Sequence, residues 1–145
     1  MATLVFFDTF KDFAGGGCVP DMDFATDTFT MYLSNELPVV ATDSPKSDVL
    51  NITEENGYTE TNLTSTWEAA GAGIYRLVNN ADVSWTASGG SFGPFQYVVV
   101  YNNTTTTPLD QLVGYWDVGS ATTITIGNTF TVDLDVNFEI FNLDG

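Results

Sequence analysis

Between Trp85 and Trp116 the chain reads WTASGGSFGPFQYVVVYNNTTTTPLDQLVGYW. Two strand-like segments are joined by polar, turn-rich connections, and a third apolar segment follows. Gln96-Tyr97-Val98-Val99-Val100 is rich in β-branched and aromatic residues at successive positions, which predicts a central strand covered on both sides. A stretch of this kind folds as antiparallel β structure that presents a surface.

The rest of the chain carries the same punctuation. Thr3–Phe7 reads as a short strand, Asp8–Ala14 as one helical turn with Phe10 and Phe13 at i, i+3, and Gly15-Gly16-Gly17 as its stop. Thr28–Leu33 alternates, with Phe29, Met31 and Leu33 on one face. Ser34–Gly57 is the least regular region, with a short helix predicted over Ser47–Ile52. Leu63–Trp67 alternates again, and Ile74–Val78 is its hairpin partner across Ala70-Gly71-Ala72-Gly73. Val83, Trp85 and Ala87 share a face. Thr104–Asp110 reads as a loop, and Leu112–Val118 as a strand in which Gly114 marks a bulge or a close backbone approach. Thr122–Ile126 and Thr129–Val136 form a predicted hairpin across Gly127-Asn128, and Phe138–Leu143 closes the series. The expected fold is all-β, an antiparallel β-sandwich or jelly roll of about nine or ten short strands. It is read as one domain over 1–145, with an N-terminal strand and turn-rich segment at 1–24 and an irregular loop region at 34–57.

Charge narrows the function. Three Lys+Arg stand against 19 Asp+Glu, a formal net charge of −16. Lys11, Lys46 and Arg76 are too few and too scattered to neutralise a phosphate backbone, and an anionic lipid surface would repel the chain. No nucleic-acid or membrane partner is expected; the acidity suits solubility or docking onto a basic partner. The start, MATLVFFDTFKDF, has no basic region and its apolar run breaks at Asp8, so it does not read as a signal peptide, and synthesis in a cytoplasm without export is expected.

Chemistry-bearing patterns are few. The chain has no histidine, so neither a Cys-His nor a Ser-His nucleophilic site can be assembled, and Cys18, the single cysteine, reads as a packed residue. Gly15-Gly16-Gly17 and Gly89-Gly90 lack the lysine and the spacing of phosphate-cradling loops. We expect no enzymatic activity and no cofactor. Asp133-Leu134-Asp135-Val136-Asn137 imitates the first half of a calcium loop, making Asp133, Asp135 and Asn137 candidate metal ligands. The sixth position is Phe138 rather than Gly and the twelfth Asp144 rather than Glu, and period-two alternation explains the pattern as the wet face of a strand. Asp21, Asp23 and Asp27 form a looser acidic cluster. Trp67, Trp85 and Trp116 are suited to core positions, the alternative being a sugar-binding platform.

In order along the chain come Tyr58 after Asn56-Gly57, a strand ending at Trp67, Ala81–Phe92 (ADVSWTASGGSF), Tyr97–Asn102 (YVVVYN), Pro108-Leu109, Val113–Ser120 (VGYWDVGS), Gly127–Val132 (GNTFTV) and a Phe-rich end. This set resembles the small β-sandwich virion structural proteins of tailed bacteriophages and prophages. The resemblance is clearest from about Gly57 to Leu143 and extends weakly to Leu4–Phe13 and Phe29–Leu33. Where relatives carry Ala-Arg-Tyr ahead of the strong strand, this chain has Pro94-Phe95-Gln96-Tyr97. The resemblance implies a capsid cement or decoration protein, made in the bacterial host cytoplasm and bound to the outer surface of the head. It also implies the major capsid protein as partner and a homo-oligomer, most simply a trimer. A tail, baseplate or fibre-associated protein is the alternative within virions, and a carbohydrate-binding module the alternative of another class. Candidate contact residues fall in 2–7, 37–47 and 102–108: Leu4, Phe6, Pro38, Asp43, Asn103, Thr105 and Pro108.

Overall fold

The structure, a computed structural model, describes residues 3–144. Among them are ten strands: β1 (Val5–Phe6), β2 (Phe29–Ser34), β3 (Thr61–Asn62), β4 (Thr66–Gly71), β5 (Ile74–Val78), β6 (Val83–Thr86), β7 (Phe92–Thr106), β8 (Leu109–Ile124), β9 (Thr129–Val132) and β10 (Glu139–Asp144). One short helix, α1 (Asp8–Phe13), and a 3₁₀ turn at Lys46–Asp48 complete the set. The strands form an all-β sandwich. One layer is a five-stranded sheet in the order β1-β8-β7-β2-β3; the other is assembled from a three-stranded sheet, β10-β5-β4, and the pair β6-β9. Every pairing is antiparallel.

Aromatic rings join the layers. Phe141 of β10 meets Phe6 of β1 at 5.4 Å, and Phe130 of β9 meets Phe95 of β7 at 4.7 Å, both edge to face. Phe24, on the loop before β2, bridges Trp67 of β4 and Phe29 of β2. Phe7, Phe29, Phe92 and Phe95 are fully buried, and each contributes about 1.5–3 kcal/mol relative to remaining in water.

The outer face of the large sheet is covered as well, by an irregular segment. The segment starts on the β8 side, where Asp8 donates to the Val40 carbonyl and Leu112 to that of Ser44. It ends at the β2 edge, where Ile52 donates to the Leu33 carbonyl. Between these anchors Val49 is buried and its carbonyl accepts the Tyr32 hydroxyl at 2.7 Å. All six residues of β2 are therefore buried, where alternation predicted a single covered face. Val98, Val99 and Val100 are sealed on both faces, as the β-rich run predicted.

Several expectations change with this architecture. The strands are not uniformly short: β7 spans 15 residues and β8 16. Their hairpin continues through Thr104–Thr106 and reverses at Thr107-Pro108, so the Thr run is strand rather than loop; threonine suits a pleated edge as well as it suits a turn. Ser47–Ile52 is not a helix. Only the 3₁₀ turn at Lys46–Asp48 forms, because Val49 is drawn out extended to cover Tyr32. Leu63–Trp67 is split: β3 pairs with β2 in one layer and β4 with β5 in the other. The hairpin over 122–136 does not form either. Thr122 and Ile124 pair with β7, the chain turns at Gly127-Asn128, and β9 pairs with β6 in the opposite layer. The β4–β5 hairpin forms as predicted.

Two glycines are set by close approach. A Cβ on Gly114 would lie 2.9 Å from the Val5 carbonyl oxygen, so this position lets β1 lie against β8. Gly57, at φ +91°, would place a Cβ 2.2 Å from the Thr86 carbonyl oxygen, so this position lets the chain beyond the covering segment pass against β6.

Candidate functional site

All three cations are engaged in ion pairs. Lys11 pairs with Asp8 at 2.6 Å on the exposed side of α1, and Arg76 donates from Nε and Nη2 to one oxygen of Glu68 across β4–β5. Lys46 is held most elaborately. Its ammonium pairs with Glu60 and lies 4.8 Å from the ring centre of Tyr101 and 5.4 Å from that of Tyr32. The Tyr101 hydroxyl donates to the other Glu60 oxygen at 3.1 Å. Burial alone would lower the Lys46 pKa, but the hydrogen bond to Glu60 and the field of Tyr101 and Glu60 outweigh it and the net shift is upward. Burial raises the phenols of Tyr32 and Tyr58 well above their usual range. Beside this cluster lies a cavity of about 250 Å³ lined by Lys46, Leu50 and Asp110, and burial raises the Asp110 carboxyl. The sequence marked Lys46 only as a scattered base; nothing in its spacing announces Glu60 or the two rings.

The candidate metal ligands lie on the connection from β9 to β10. Asp133, Asp135 and Asn137 are exposed. The alternation that placed them on a wet face holds through Leu134, which is buried, and then fails, since Val136 is 92% exposed. Asp135 Oδ1 accepts the backbone N–H groups of Asn137 and Glu139, so this carboxylate closes a turn. Together with Leu4, Trp116, Glu139 and Ile140, the two aspartates line a recess of about 370 Å³. Trp116 and Glu139 are the members that sequence reasoning did not connect to it. In the other acidic cluster, Asp27 accepts from Asp23 N and Asn102 Nδ2, and Asp23 from Ala25 N, so these carboxylates brace the loop ahead of β2. Among the described residues no three His, Cys, Asp or Glu side chains converge on a point where a metal ion would be held. Cys18 is buried and its thiol pKa is raised by burial and by Asp21 and Asp27, which disfavours the reactive thiolate.

The candidate contact residues are dispersed. Leu4 lines the acidic recess; Phe6, on β1, lines a separate apolar groove of about 360 Å³ with Phe10, Phe24 and Phe141. Asn103 is exposed, and Asp43 and Pro108 are half-buried. Pro38 and Thr105 are buried and do not offer a side chain to a partner. Thr105 is interior because its hydroxyl accepts the Gln111 N–H inside the β7–β8 hairpin. Trp85 and Trp116 are core residues; Trp67 is half-buried and stacks on Tyr75, which is 49% exposed. No helix among the described residues is long and apolar enough to cross a membrane. No family model, curated protein or solved structure matches the chain.

Proposed function

We propose that this chain is a virion structural protein of a tailed bacteriophage: a capsid cement or decoration protein that binds the outside of the assembled head and stabilises it. The reading rests on the resemblance over Gly57–Leu143. It is supported by one structural observation, the burial of the centre of the large sheet, β2 and the middle of β7, on both faces. A sheet clad on both sides is a stiff module, and its hairpin tips and loops hold fixed positions relative to one another. Binding a repeating lattice rewards that property, because several modest contacts from a rigid body act together. The internal pairing of all three cations leaves an outward field that is anionic, which fits a basic patch on the major capsid protein. A homo-oligomer, most simply a trimer at local threefold positions, belongs to the same reading.

Quantitative mass spectrometry of purified virions tests it. A ratio to the major capsid protein near one to one, or a simple fraction of it, is expected. A handful of copies per particle would move the chain to the tail or baseplate, and absence from virions would end the virion reading. The Trp67–Tyr75 stack favours a carbohydrate-binding module as the second reading. Saturable quenching of tryptophan fluorescence by glycans, lost in Tyr75→Ala, would support it.

A further inference from the structure

We propose that the recess formed by Trp116 of β8, the start of β10 and the connection between β9 and β10 binds an arginine side chain presented by a partner polypeptide. Its walls carry three acidic residues, Asp133, Asp135 and Glu139, and no Lys or Arg lines it among the described residues. The three cations of the chain are committed elsewhere, to Asp8, Glu60 and Glu68. Asp135 Oδ1 is occupied by two backbone N–H groups, and Glu139 Oε1 by the Asn142 amide. Asp135 Oδ2, Glu139 Oε2 and both Asp133 oxygens have no hydrogen-bond partner among the described residues.

Two features choose the occupant. Among the described residues no three carboxylates converge, so they lack the common centre that a metal ion requires. A guanidinium is broad and planar and carries five N–H donors, and it can address oxygens that are spread apart. The second feature is the indole of Trp116. It is 4% exposed and lines the recess, yet its N–H has no acceptor among the described residues. The other core tryptophan is satisfied, since Trp85 Nε1 donates to the Thr59 carbonyl at 2.7 Å. No fully sealed side-chain N or O among the described residues lacks a partner, so the Trp116 N–H keeps an opening, and the recess is where that side chain is accessible. A recess whose wall holds three acidic residues and a nearly buried indole is matched by a ligand with both a cation and an acceptor. Metal ions and polyamines offer no acceptor; a peptide offers the backbone carbonyl of the residue that bears the guanidinium. Leu4 and Ile140 supply apolar wall for the methylene stem. The assignment does not depend on the virion reading, although a shell protein would be one source of such an arginine.

The test uses the full chain, labelled with ¹⁵N and titrated with N-acetyl-arginine methylamide while the indole N–H resonances of the three tryptophans are followed. The Trp116 resonance should shift saturably and the Trp85 resonance should stay in place. The citrulline analogue, which keeps the shape without the charge, should bind about tenfold more weakly or worse. Asp133→Asn should weaken the arginine probe several-fold; Asp133 is exposed and holds no other group in place, so this variant keeps its fold. A Trp116 resonance that does not move, or that responds equally to citrulline, overturns the proposal. Spermidine binding as tightly as the arginine probe would reduce the recess to unspecific charge, and calcium displacing the probe would make it a metal site; either overturns the proposal too.

Discussion

Two groups of acidic residues in this molecule have opposite fates. Glu60 pairs with Lys46, whose ammonium also lies over two aromatic rings, and accepts the Tyr101 hydroxyl, and its charge is part of what holds the covering segment to the large sheet. Asp133, Asp135 and Glu139 line an open recess that no Lys or Arg lines among the described residues. A chain with three bases and 19 acids pairs each base with one acid, and the other acids either accept hydrogen bonds within the fold, as Asp27 does, or face solvent, as Asp133 does. Pairing with a cation is one way an acid serves the fold; Asp27 and Asp135 do so by accepting hydrogen bonds, and Asp133 does neither.

The contrast breaks most visibly at Lys46. Lys46→Ala leaves Glu60 beside Tyr101 with no counter-charge in a partly buried site, and should lower stability by about 2–3 kcal/mol and the thermal midpoint by several degrees. In the double variant Lys46→Met, Glu60→Gln, urea denaturation should show at least half of that loss recovered; no recovery would mean that the pair acts through packing alone. Alkali is the next test. The folded-state pKa values of Lys46, Tyr32 and Tyr58 are raised above their unfolded values. Their contributions are fully present below about pH 10 and are lost as the pH climbs towards the folded values, at about 1.4 kcal/mol per pH unit for each group held in its protonated form. Tyrosinate absorbance of the buried phenols should therefore appear only as the near-ultraviolet dichroism of the folded state disappears.

At the recess the effects should be smaller. Asp135→Ala removes the acceptor for the N–H groups of Asn137 and Glu139 and should lower stability by about 1 kcal/mol in urea denaturation, chiefly by loosening the entry to β10. Asp133→Asn should move the melting temperature by no more than about 2 °C, upward at low salt and not at all at high salt, because it relieves repulsion without deleting a contact. A large loss at Asp133 would erase the distinction between the two acidic groups.

Where one residue type dictates the backbone, the sequence was a good guide. The run Gln96–Val100 announced a strand sealed on both faces, Ala70–Gly73 announced a hairpin, and Gly114 announced a bulge or a close approach, where the ladder shifts register and β1 lies against β8. Two of the changes of layer, after Asn62 and at Gly127-Asn128, were hidden, because period-two alternation is unchanged when a chain leaves one sheet and joins another. The covering segment was visible only as irregularity, since its order comes from hydrogen bonds to partners far along the chain, such as Leu112 to Ser44. For the recess, Asp133 and Asp135 stood out by their spacing. Trp116 was legible as a core residue and Glu139 not at all, and the pairing of β10 with β5 places Glu139 in the recess that Trp116 also lines.

Phe141 has a consequence for the order of events during synthesis. Its ring meets those of Phe6, Phe10, Phe24 and Trp67, all translated well before it. While a ribosome adds the residues after Trp67, that apolar cluster has no centre, and β5 keeps one edge open until β10 arrives to pair with it. A chain stalled before Glu139 exposes four aromatic rings and an unpaired strand at once, the kind of surface that chaperones hold and that neighbouring nascent chains can join.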